Sequence, residues 1–102
     1  MVMSGVANSS TTNSAKIEKI LVGPNYGKSV LVKVDQAPTI DSGHCQTHTS
    51  FNYSFDGTTD EGKMYLSILM TAFAMQKSVD IAGYNNTCEA YGIEKLYHLQ
   101  VN

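Results

Sequence analysis

The chain has 102 residues, a formal net charge of -2, a sequence pI near 5.8 and 42% hydrophobic residues. That length holds one domain with one core and leaves no room for a multidomain mechanism. Seven Lys plus Arg cannot form the basic stripe that a phosphate backbone demands, which sets nucleic acid aside as a partner, and no apolar run reaches the ~18–20 residues needed to span a membrane.

Residues 1–15 (MVMSGVANSSTTNSA) are small and polar, without charge or hydrophobic block, a composition that offsets little ordering entropy. They are expected to form a disordered N-terminal tail ahead of a single domain over 16–102. Gly5-Val6-Ala7 supplies the small residues of a signal-peptidase site, so a truncated remnant of a secretion signal is one reading of this tail. Lys16 to Gly23 is rich in β-formers, and Gly23-Pro24-Asn25-Tyr26-Gly27 is turn chemistry. Ser29 to Asp35 alternates, with Val30, Val32 and Val34 on one face, as a half-buried strand does. After a loop over Gln36 to His44, Thr47 to Phe55 alternates again, placing Phe51, Tyr53 and Phe55 together.

A nearly all-apolar helix follows, starting near Thr59 and stopping near Lys77. Tyr65, Ile68, Leu69, Ala72 and Phe73 make one helical stripe, and Met64, Met70 and Met75 widen it most of the way round. Thr58 with Glu61 has capping-box spacing; Asp60 and Glu61 suit the positive end of the helix dipole, and Lys77 suits the negative end. Methionines at helical spacing are read as core filler in preference to an adaptable partner groove. Two strands close the chain, Ser78 to Tyr84 and Tyr91 to Val101, separated by the loop Asn85 to Glu89.

The order β-β-β-α-β-β is that of the OB-fold, a five-stranded, partly open barrel whose helix plugs one end. The expectation is therefore a mainly β domain with one helix; an open α+β sheet with the helix on one face is the alternative.

Three motifs invite stronger readings. Gly23 to Ser29 ends in GKS, but a P-loop needs four residues between its glycines and a helix afterwards, and here three residues precede a Val-rich strand. His44, Cys45 and His48 offer imidazole and thiolate, yet three ligands in one loop without a fourth make a weak zinc site, and nothing nearby supplies an oriented base for a thiol nucleophile. Asn52-Tyr53-Ser54 and Asn85-Asn86-Thr87 match glycosylation acceptors, which matter only in a eukaryotic source.

Met64-Tyr65-Leu66-Ser67-Ile68-Leu69 with Ala72, then Lys77, Val79-Asp80-Ile81, Gly83 and Cys88, resembles the helix, strand and cysteine of small secreted bacterial OB-fold-like proteins similar to the B subunits of subtilase-type AB5 toxins. The resemblance runs over Lys16 to Leu99 and rests on packing residues and two cysteines. It implies a secreted or periplasmic, non-catalytic binding or assembly module without cofactor, forming a homo-oligomer and recognising a glycan or a protein. The cysteines fit it. A bond between Cys45, before the third strand, and Cys88, after the fourth, would contribute about 4 kcal/mol by restricting the unfolded chain and would imply an oxidising compartment. In an idealised barrel those positions lie toward opposite ends, so the loop over 36–46 would have to fold back; two buried thiols are the other reading.

Ligand contacts are expected on the loops that flank an OB-fold's binding face. These carry Asn25 and Tyr26 on one side and Tyr84, Asn85 and Asn86 on the other, pairing flat apolar rings with amide donors and acceptors. The competing function class is a small enzyme or metal-binding protein built on His44, Cys45 and His48.

Overall fold

A computed structural model describes residues 9–36, 45–47 and 50–102. Among them the elements are β1 (Ser9–Ala15), β2 (Ile17–Leu21), β3 (Ser29–Val34), β4 (Tyr53–Asp56), α1 (Asp60–Met75), β5 (Val79–Glu89) and β6 (Ile93–Val101), with single 3-10 turns at Pro24–Tyr26 and Ala90–Gly92. The six strands form one sheet in the order β1-β5-β6-β4-β3-β2. Its pairs are antiparallel except β4 with β6. The domain is mainly β with one helix, and the sheet is open, since no ladder joins β1 to β2 among the described residues. The expected count of five strands is not met, since six stand among the described residues, and the open α+β alternative fits.

The sixth strand comes from the segment expected to be a tail. Ser9–Ala15 pairs along β5, with Thr12 opposite Ile81 and Ala15 opposite Val79. Composition misjudged residues 9–15 because they contribute backbone pairing, the small buried side chain of Ala15 and one buried hydroxyl: Thr12 Oγ1 and Tyr53 Oη lie 2.8 Å apart inside the domain. Since β1 and β4 are not neighbours in the sheet, that bond also shows how strongly the sheet curls. At the junction Ser14 takes φ 53°. Its amide donates to Asp80 Oδ1 at 2.8 Å, and the Lys16 amide donates to Asp35 Oδ1 at 2.9 Å. One residue therefore separates a strand on β5 from a strand on β3.

The core gathers Val30, Val32 and Val34 of β3, Tyr53 and Phe55 of β4, Ile81 of β5 and Leu96 of β6 around Leu69 and Ala72 of α1. Leu31 and Ser54 are buried as well, so β3 and β4 are covered on both faces where half-burial was expected. Among the described residues of the expected third strand, Thr47 to Phe55, β4 begins at Tyr53, and it runs one residue past that range to Asp56. β5 runs on through the expected loop Asn85 to Glu89.

Helix α1 keeps its expected ends with one change of cap. Thr59, not Thr58, accepts from the Gly62 amide, at 2.8 Å. Thr58 instead donates amide and hydroxyl to Asp56 Oδ1, at 2.8 and 2.6 Å, closing the turn out of β4. Gly62 is required there, because a Cβ would collide with the Asp56 carbonyl oxygen. Gln76 ends the helix in the left-handed region, with its amide on the Ala72 and Phe73 carbonyls.

The core-filler expectation for the methionines does not hold. Met64, Met70 and Met75 are 62%, 56% and 61% exposed, and Ile68 and Phe73 are exposed too. The inner face of α1 meets the core through Leu69 and Ala72, with Tyr65 and Leu66 partly buried beside them.

Cys45 and Cys88 are bonded, with Cα atoms 6.0 Å apart. The Cys45–Thr47 segment is pinned to the β5–β6 hairpin by more than sulfur. The Thr47 amide donates to the Gly92 carbonyl at 2.9 Å, and Gln46 Oε1 accepts from the Glu94 amide at 2.8 Å. These contacts set Cys45 beside Cys88 at the β5–β6 hairpin.

Candidate functional site

A cleft of about 280 Å³ opens between the first turns of α1 and the adjoining strands β4, β5 and β6. Its floor is the core edge at Phe55 and Leu96, and its polar rim carries Asp56, Glu61 and Lys95. Strand register builds its wall. Tyr84 of β5 stands opposite Lys95 of β6, and Tyr97 falls in the register shift between the Gly83–Leu96 and Ala82–His98 pairs, with its ring against Tyr84. The Tyr84 and Tyr97 ring centroids are 4.8 Å apart, and Lys95 Nζ lies 5.7 Å from the Tyr84 centroid, a cation–π distance. Both rings remain exposed. The helix supplies the third ring: Tyr65 stacks edge-on to Phe55 at 5.4 Å and donates its hydroxyl to the Tyr97 carbonyl at 2.8 Å. Burial, then the charge of Glu61, raises the Tyr65 pKa, which keeps that hydroxyl a donor. Asp56 moves the other way, lowered by the hydroxyl and amide of Thr58, and stays an anion at the rim.

Tyr26 belongs to a different cluster. It meets Tyr91 edge-on at 5.4 Å, and the Tyr91 hydroxyl donates to the Asn25 carbonyl at 3.1 Å. The turn between β2 and β3 is thereby joined to the turn between β5 and β6. Tyr91 holds φ 75° there, a strained position for a ring-bearing residue, followed by Gly92 at φ 67°. So the structure puts Asn25 and Tyr26 with Tyr91, and Tyr84 with Tyr97 and Lys95. Asn85 and Asn86 are described in backbone only, within an irregular stretch of β5 between the Tyr84–Lys95 and Cys88–Glu94 pairs.

Of the metal or thiol candidates, Cys45 is in the disulfide and offers no thiolate, while His44 and His48 lie outside the described residues. Among the described residues no group of three or more His, Cys, Asp or Glu gathers at one point. Nor is any described helix long and apolar enough to cross a membrane.

Sequence reasoning missed Tyr65, Lys95 and Tyr97. Tyr65 reads as core stripe and Tyr97 as one face of an alternating strand; their convergence on Tyr84 follows from the β5–β6 register, which the residues alone do not announce. Compared with known protein families, curated proteins and solved structures, the chain matches none.

Proposed function

We propose that this chain is a non-catalytic binding module of an exported kind, and that its ligand is a glycan seated on Tyr84 and Tyr97. The observation that carries the reading is the cleft itself: two exposed, touching aromatic rings beside carboxylates and an ammonium. Ring faces pack on the C–H face of a pyranose, and Asp56, Glu61 and Lys95 supply acceptors and donors for its hydroxyls. Two of the cleft's hydroxyls are committed to structure: Thr59 caps α1 while donating to the Asp56 carbonyl at 3.2 Å, and Tyr65 donates to the Tyr97 carbonyl. The Cys45–Cys88 bond supports a periplasmic or secreted location, where such bonds persist.

We also infer an OB-like barrel whose first strand is β1 and β2 together, broken at Lys16, with β1 drawn from the segment expected to be a tail. Three features support it: β1 and β2 are consecutive in sequence yet stand at the two ends of the sheet, β4 and β6 are parallel, and the helix falls between them. In that architecture the turns carrying Tyr26 and Tyr91 also flank a binding face, which makes this pair the second place for a ligand.

A glycan library displayed against the folded protein, followed by titration of any hit, tests both sites. Tyr84→Ala with Tyr97→Ala should abolish binding while melting stays near the parent's; Tyr26→Ala with Tyr91→Ala should leave it intact. Loss only in the second pair would move the site to the turns. Absence of any glycan hit at millimolar concentrations would remove the glycan reading.

A further inference from the structure

A second surface lies on an exposed side of α1. Met64, Ile68, Thr71 and Met75 follow one another at steps of four, three and four residues, which aligns them along the helix. All four are exposed. Thr71 spends its hydroxyl on the Ser67 carbonyl of its own helix, at 3.0 Å, and so presents its methyl group. A 4-3-4 line is the seam that a helix shows to another helix. It flanks the line that Leu69 and Ala72 present to the core, since Ile68 and Ala72 are four residues apart.

The charges at the ends of α1 select the occupant and its direction. Asp60 and Glu61 outnumber Lys63 in the first turn, Lys77 stands just beyond the last, and none of the four is in an ion pair among the described residues. A second copy of the same helix laid antiparallel would set each acidic turn beside the other's Lys77 and oppose the two helix dipoles, whereas a parallel copy would stack acid on acid. A two-fold axis near Leu69 and Met70 makes both halves of such a contact identical, with Met64 facing the Met75 of the second copy and Ile68 facing its Thr71.

We propose that α1 is a self-association surface, pairing antiparallel with α1 of a second copy through Met64, Ile68, Thr71 and Met75. The seam is short, so the pairing is weak and reversible, below the standard interface size. It stands on observations separate from the glycan cleft except at Glu61, which borders both.

Sedimentation of the full-length chain over about 5 µM to 1 mM reads it directly. A monomer–dimer equilibrium is expected. Ile68→Lys should weaken it at least about tenfold without lowering the melting temperature, because the side chain already faces water; Met75→Lys, at a still more exposed position, is the second variant should the first unfold. Lys77→Glu should weaken the dimer about threefold, as should Asp60→Lys with Glu61→Lys, and combining all three changes should restore it. A monomer throughout, an assembly of three or more copies, a dimer indifferent to both lysine variants, or charge changes that do not rescue one another would each overturn the proposal.

Discussion

The end of the domain that holds Cys45 and the layer formed by α1 are secured by opposite means. Cys45–Thr47 is tied to β5 and β6 by a disulfide and by backbone and amide hydrogen bonds, with little apolar burial of its own. Helix α1 has no covalent tie and rests on Leu69, Ala72 and their partly buried neighbours. In a domain this small, a covalent or polar tie can fix a segment that has nothing to bury, and a narrow apolar line can fix a helix whose remaining apolar residues face water.

Removing each tie should expose the contrast. Cys45→Ser with Cys88→Ser should cost about 4 kcal/mol, the loop-closure entropy returned to the unfolded chain, in a denaturant melt; a loss below about 1 kcal/mol would mean that the Gln46 and Thr47 hydrogen bonds hold the segment unaided. Leu69→Ala should cost about 3 kcal/mol because the site is fully closed, whereas Phe73→Ala, at a residue 40% exposed, should cost clearly less. Equal losses at the two positions would erase the distinction between the inner and outer faces. Thr59→Ala removes the acceptor for the Gly62 amide and should cost about 1 kcal/mol, read as a shift in the urea midpoint at unchanged slope.

How far the sequence reveals these arrangements depends on what each segment contributes. Strands β2, β3 and β6 and the limits of α1 are legible because apolar periodicity and caps mark them. β1 is not: SSTTNSA has no apolar pattern, and its place is decided by partners dozens of residues away. Asn85 and Asn86 carry turn chemistry, yet the ladder to β6 and the bond at Cys88 draw their backbone into β5. Tyr84 is identifiable as a ligand candidate, while Tyr97 and Lys95 join it only through register. The methionines mislead because helical spacing reports amphipathicity without saying how many sides of the helix are covered.

The smallest effect concerns the exposed polar tie at the β1–β2 junction. Asp80 has its pKa lowered by the Ser14 amide and then by Asn102. A carboxylate lowered in the folded state stabilises it above the unfolded pKa of about 3.9, and that contribution disappears as the pH falls through the folded value. The melting temperature should therefore drop on acidification below about pH 4, with a shallower drop in Asp80→Asn. An identical pH profile in the variant would show that the Ser14–Asp80 bond is unimportant to folding.

The division of one stretch of chain between β5 on one side of Lys16 and β3 on the other also orders events in time. β2 finds its partner a short turn away, but β1 has nothing to pair with until the helix and β5 have been synthesised. During translation the N-terminal strand must therefore wait as an unpaired edge, and its docking over Tyr53 belongs to the late, slow part of folding, where long-range contacts are made. Its mostly polar, uncharged sequence suits that interval, because a strand whose one apolar side chain is the methyl group of Ala15 gives neighbouring nascent chains little to adhere to.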